Sequence, residues 1–210
     1  MFATCLAALC LVAGIEQPRL ATGTERAECL TPRSPAACAF KALDAEFSLS
    51  STGQFERRGA SGPVTATRIA GIQNDELARV FVAPVASDLL VFDELDGGES
   101  GGGCAFRIDP QRLAVKWHVK LRSFNLSAGA IEGKRLYQAG MGFVSAIDLG
   151  TGQFAWTHSD LYDRTRFAFN SFERPQVLER EVRFTEHVDG GSPRIAEAIR
   201  VDKATGRILK

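Results

Sequence analysis

The chain has no excess of either charge. Its 25 Lys and Arg balance 25 Asp and Glu over 210 residues. A nucleic-acid binder normally shows a basic excess or stripe, so that class finds no support. Histidine is scarce: His118, His158 and His187 are all there are, and no HExxH, GxSxG or Cys–His nucleophile pattern surrounds them. No CxxC motif occurs among the five cysteines, which removes the zinc-ribbon and thioredoxin-like readings. No apolar run approaches the roughly 20 residues that a membrane-spanning helix needs. The apolar stretch MFATCLAALCLVAG, residues 1–14, is too short for that. It resembles the core of a secretory signal peptide, with Ala13 and Gly14 near a cleavage point, although no Lys or Arg precedes it. A short buried element is the alternative. A cleaved signal is the expectation, and with it a periplasmic or secreted location.

Removal of that segment would take Cys5 and Cys10 with it and leave Cys29, Cys38 and Cys104. Cys29 and Cys38 bracket the short loop LTPRSPAA, and an oxidising compartment would favour a disulfide between them. The competing reading makes all three small buried hydrophobes. Twenty Gly and fourteen Phe suit a turn-rich β protein better than a helical bundle. The length fits one domain with a real core.

Residues 15–78 read as a lead-in. Ser34-Pro35 is a helix-start signal, and Phe40, Leu43 and Phe47 at spacings of three and four predict a short helix ending before Ser50-Ser51-Thr52-Gly53. One strand is expected near Val64 to Ile72. From Arg79 the pattern changes to short β-branched and aromatic segments separated by turn residues: RVFVAPV, DLLVFDEL, CAFRID, LAVKWHVKL. Gly97 to Gly103 reads as a flexible hairpin connection. A phosphate-binding loop would need a following helix, and here a strand pattern follows.

The segment from 79 onward repeats. SAIDLGTGQFAW holds Asp148 and Trp156, and thirty-nine residues earlier FRIDPQRLAVKW holds Asp109 and Trp117 at the same separation. A third copy, IRVDKATGRILK, repeats Asp148, Thr151 and Gly152 as Asp202, Thr205 and Gly206. Each copy has a physical logic. Asp accepts backbone N–H groups and starts a turn, and Gly supplies a left-handed position. Two further strands precede each copy, and four antiparallel strands per unit of about 40 residues describe a propeller blade. The expected blades span about 79–121, 124–158 and 175–210.

The pattern AxDxxTGxxxW, carried by Ala146, Asp148, Thr151, Gly152 and Trp156, resembles the tryptophan-docking motif of the PQQ-like (quinoprotein-type) β-propeller repeat family. The first copy keeps Asp109 and Trp117 with Arg112-Leu113 in place of Thr-Gly. The third keeps Asp202, Thr205 and Gly206 with Lys210 where Trp is expected. The resemblance covers residues 79–210 and implies that Trp117 and Trp156 wedge between neighbouring blades. It implies an all-β fold, an incomplete or small propeller of about three four-stranded antiparallel blades with a short N-terminal helix and loop region. Quinone-dependent members use a vicinal cysteine pair, a calcium site and a catalytic Asp. The chain has no adjacent Cys pair and no acidic set assignable to calcium, so no catalytic, cofactor or metal residue is expected and no cofactor.

Three blades do not close a ring, because propellers have about four to eight. The chain is then a truncated propeller, or residues 35–75 supply a degenerate blade or a helical cap, or a partner covers the open edges. The reading that follows is a non-catalytic protein-binding or scaffold module of the cell envelope, with a protein partner or a homo-dimer on those edges and no integral membrane span. An immunity-type inhibitor of a secreted toxin enzyme and a truncated dehydrogenase fragment are the alternatives. Arg164, Arg166, Arg174, Arg180 and Arg183 among Phe167, Phe169 and Phe172 read as a mixed strand surface. Asp93-Glu94 and Asp160/Asp163 read as solvated loop carboxylates.

Overall fold

A computed structural model describes residues 22–23, 25–26, 28–29, 37–58, 64–70, 72, 76–96, 102–121, 124–190, 192 and 194–210. The expected signal segment 1–14, the helix-start pair Ser34-Pro35 and glycine-rich residues 97–101 lie outside these. Three two-residue strands come first: β1 (Thr22–Gly23), β2 (Glu25–Arg26) and β3 (Glu28–Cys29). Four antiparallel meanders follow. The first holds β4 (Ala37–Ala42), β5 (Ala45–Ser50), β6 (Gln54–Arg58) and β7 (Thr65–Arg68). The second holds β8 (Glu76–Val85), β9 (Asp88–Asp96), β10 (Gly102–Asp109) and β11 (Ala114–Leu121). The third holds β12 (Ala130–Glu132), β13 (Arg135–Gly140), β14 (Phe143–Asp148) and β15 (Phe154–His158). The fourth holds β16 (Gln176–Val177), β17 (Glu181–Thr185), β18 (Ala198–Asp202) and β19 (Ile208–Leu209). The described residues are all-β, in four antiparallel meanders of the kind that form propeller blades, as expected of an incomplete or small β-propeller. In each the four strands pair in sequence order, and β3, β2 and β1 add a fifth strand beside the first strand of the first, second and third meanders.

Among the described residues the meanders number four: the three expected blades and one more. The extra one, with strands between Ala37 and Arg68, lies where a short helix was expected and is the degenerate blade offered as an alternative to it. The Phe40–Leu43–Phe47 spacing imitates a helical stripe because a two-residue turn interrupts a period-two pattern. Leu43 and Asp44 form that turn, with φ of 47° and 60°. Two positive φ values in a tight hairpin match the right-handed twist of the strands it joins. On either side Cys38, Phe40, Ala45, Phe47, Leu49 and Phe55 are buried, while Ala39, Lys41, Glu46 and Gln54 are exposed. Phe40 pairs with Phe47 across the hairpin, and their rings stack at 5.5 Å.

Packing joins the blades in sequence. One apolar cluster unites Phe47, Leu49 and Phe55 of the first with Leu89, Val91 and Phe106 of the second. Another unites Leu90, Phe92 and Trp117 with Leu136 and Ile147 of the third. A further one unites Tyr137, Val144 and Trp156 with Val182, Phe184 and Val201 of the fourth. The run LLVF therefore splits: Leu89 and Val91 face one neighbour, Leu90 and Phe92 the other. A strand covered on both faces has no polar alternation to show.

The end blades do alternate. The outward face of the fourth carries Arg183 and Arg200 around Glu181, with Arg200 Nη2 2.7 Å from Glu181 Oε2. The outward face of the first carries the Lys41–Glu46 pair. Polar outer faces are how terminal units of a stacked array meet water. Among the described residues no apolar cluster joins the first blade to the fourth.

Candidate functional site

Three turns carry the repeat motif, and they superimpose chemically. Asp148 Oδ1 accepts the backbone N–H groups of Gly150 and Thr151, both at 2.9 Å, and the Thr151 hydroxyl at 3.2 Å. The Gly152 amide then donates to the Asp148 carbonyl at 2.8 Å, and Gly152 takes φ +72°. Asp202 Oδ1 does the same with the Ala204 amide at 3.1 Å, the Thr205 amide at 2.8 Å and the Thr205 hydroxyl at 2.7 Å. Asp109 Oδ1 accepts from the Gln111 and Arg112 amides at 2.9 and 3.1 Å.

Each glycine sits beneath an indole from the preceding blade. A Cβ on Gly152 would lie 2.6 Å from the Trp117 ring, and one on Gly206 would lie 2.5 Å from Trp156. The indoles are also tethered. Trp117 Nε1 donates to the Leu149 carbonyl at 2.8 Å, and Trp156 Nε1 to the Lys203 carbonyl at 3.2 Å. Ala146 pairs with Trp156 across β14 and β15 and is fully buried.

Sequence reasoning missed a second donor to each carbonyl. Arg107 Nη1 reaches the Leu149 carbonyl at 2.8 Å, while its Nε binds the buried Asp88 at 2.6 Å. Arg135 Nη1 reaches the Lys203 carbonyl. Lys203 Nζ in turn meets Glu132 at 2.7 Å. An arginine and a tryptophan thus converge on one turn carbonyl at both docked junctions. The two arginines stand at different motif offsets, so no repeat spacing marks them.

The first copy shows why its glycine is missing. Leu113 occupies the corresponding position with φ 53°. The first blade carries no tryptophan, so no indole covers this turn, and the buried Leu113 side chain joins the apolar cluster between the first two blades instead.

All three aspartates are held below the ordinary carboxylate range. The leading cause is the Arg112 amide for Asp109, the Thr151 amide for Asp148 and the Thr205 hydroxyl for Asp202. A depressed native pKa contributes stability above the unfolded value of 3.8, lost as pH falls through the native value. We expect melting temperature to fall on acidification below about pH 4. In Asp148→Asn/Asp202→Asn that acid limb should be shallower, and an unchanged limb would show that other carboxylates carry it.

Elsewhere the placement differs from expectation. Asp93 is no loop carboxylate. It lies in β9 and is fully buried, and its Oδ1 accepts the Cys104 amide at 2.7 Å. Burial pushes its pKa up to about 7. Buried Cys104 is pushed to about 12, first by burial and then by the charge of Asp93. The Arg/Phe segment is mostly loop rather than strand surface, since residues 164–172 form turns and isolated bridges. His118 and His158 do lie on strands, and His158 Nε2 is 2.7 Å from the Gly206 carbonyl.

The loop between the third and fourth blades meets the β17–β18 connection at one end of the array. Arg194 Nη1 donates to the Arg166 carbonyl at 2.6 Å, and Arg166 Nη1 binds Glu197 at 2.8 Å. Arg194 also pairs with the buried Glu186. On these joined segments Phe167 is 66% exposed and Ile195 87%, the two most exposed large hydrophobic residues among those described.

No helix among the described residues is long and apolar enough to cross a membrane. No protein-family model matches the chain, and no curated protein matches it. Among solved structures the chain is similar to "The crystal structure of BamB from Moraxella catarrhalis", with a TM-score of 0.43 and 10% identity. That match covers 70% of this chain and 39% of the other, so the chain spans well under half of that structure's length.

Proposed function

We propose that the chain is an exported, non-catalytic protein-binding or scaffold module of PQQ-like repeat type, working in the periplasm or outside the cell. The observation that carries this reading is the exposed Phe167 and Ile195 on two loops fixed to each other by Arg194 and Arg166. Loops positioned by a rigid scaffold carry binding residues disproportionately. The motif residues support it from the other side. Asp148, Thr151, Gly152 and Trp156 all serve turn formation and blade docking, as do Asp202, Thr205 and Gly206. A homo-dimer formed by stacking end blades is not the form we propose, because both outward faces are polar and ion-paired.

The test places a photo-reactive residue at Phe167 or Ile195 in the producing cell, with Lys41 on the opposite end blade as control. One shared adduct from 167 and 195, absent from 41, supports the reading. Equal labelling at all three would overturn it. If the adduct proved to be a secreted hydrolase, the module would be an inhibitor rather than a scaffold. Phe167→Ser/Ile195→Ser should leave the melting temperature within about 2 °C, as surface changes do, while removing the adduct.

A further inference from the structure

The polar lead-in has a structural job. β1 pairs with β12, β2 with β8 and β3 with β4, each antiparallel. These three partners are the first strands of the third, second and first meanders, so they are successive exposed edges on the same side of the array. One short segment, Thr22 to Cys29, thus laces three blades in reverse order. The step is three residues per blade. An extended chain rises about 3.3 Å per residue, and stacked sheets lie about 10 Å apart, so three residues cover one blade spacing.

The sequence of this segment, TGTERAEC, contains no apolar residue larger than Ala and Cys. Each pairing is two residues long. Backbone hydrogen bonds alone make strand addition marginal without side-chain pockets. At the last pairing, however, Cys29 stands directly opposite Cys38 in the register. Cys38 is completely buried and is not a free thiol, whereas Cys104 is free.

We propose that a Cys29–Cys38 disulfide latches the strands of Thr22–Cys29 onto the first-strand edges of three blades, making coverage of those edges redox-dependent. Two thiols lose two protons and two electrons to a protein disulfide of an oxidising compartment, which becomes a dithiol as the S–S bond forms. Reduction reverses this and leaves the two-residue ladders without their covalent tie. Freed edges present unpaired N–H and C=O groups, the template for pairing with another chain.

The experiment uses the full chain purified without reductant. Peptide mapping should find Cys29 joined to Cys38, with Cys104 free. Hydrogen exchange is then compared before and after reduction. Peptides covering 80–82 and 130–131 should exchange roughly tenfold faster once reduced, whereas those of the fourth blade should not change. Cys29→Ser should show the fast exchange without reductant, while Cys104→Ala should still respond to reduction. Free thiols at both 29 and 38 in the unreduced protein would overturn the proposal. So would exchange indifferent to reduction in a protein proved to hold the bond. Neither result touches the reading of Phe167 and Ile195, which lie on other segments.

Discussion

Asp93→Asn will make the protein more stable at pH 8 and little changed at pH 4. The native carboxyl sits in the apolar contact between the first two blades, fully buried, with Oδ2 lacking a partner. Burial raises its pKa from 3.8 to about 7. The folded state therefore holds the proton more tightly than the unfolded chain. That contribution is fully present below the unfolded value and disappears as pH rises through the native one. About three pH units at 1.36 kcal/mol each give a decline of about 4 kcal/mol between pH 4 and pH 8. For a domain of this size that is a melting-temperature difference of roughly 10 °C. Asn keeps the acceptor for the Cys104 amide and carries no charge. Thermal melts of both proteins across this range should therefore diverge steadily as pH rises. Parallel curves would show that Asp93 is ionised in the native state throughout. The aspartates of the repeat turns act in the opposite direction and at lower pH, and both proteins share them.

The same residue shows where sequence reading stops. Asp93 precedes Glu94 beside a glycine-rich run, which is the composition of a solvated hairpin tip. The ladder continues past it, because Gly103 opposite Glu94 lets the strands close: a Cβ there would fall 1.9 Å from the Asp93 carbonyl. Burial depends on that close approach, which leaves no periodic mark. The repeat turns were legible because an Asp starts the same local hydrogen-bond pattern in each, eight residues before a tryptophan in two copies and followed by the same Thr-Gly spacing in two. Asp109, Asp148 and Asp202 therefore appear where the spacing put them. The first blade was not legible as a blade because it lacks both the tryptophan and the aspartate turn. Its two-residue turn also shifted Phe40 and Phe47 into helical phase. Arg107 and Arg135 serve equivalent carbonyls from non-equivalent positions, and repeat alignment cannot find such a pair. The braced loops of the candidate surface are insertions outside the repeat, so the repeat says nothing of Phe167 or Ile195. Contacts of Arg194 and Arg166, made between the two loops, bring them together.

Trp156→Ala should loosen one junction and leave the others intact. The ring is 8% exposed, covers Gly206, and lies edge-on to Phe184 at 6.2 Å. Truncating a buried aromatic costs about 3–5 kcal/mol. In a stack whose blades contact only their neighbours, the loss falls on the fourth blade first. Hydrogen exchange should quicken across residues 176–209 while β5 and β9 keep their protection; uniform loss of protection would mean that the array unfolds as one unit. Gly206→Ala attacks the same contact from below, adding a methyl 2.5 Å from Trp156 at φ +74°. The two substitutions should not add. With the indole gone, the methyl no longer meets Cγ and Cδ1 at 2.5 and 2.9 Å, so part of the clash is relieved; the contact with the Cβ of residue 156 and the left-handed backbone penalty of about 1–2 kcal/mol remain. A double-mutant cycle should therefore show coupling of at least about 1 kcal/mol. The chain already contains the relaxed arrangement: Leu113 holds the same left-handed position in a turn that no indole covers. Full additivity would mean that the indole ring takes no part in requiring glycine at 206.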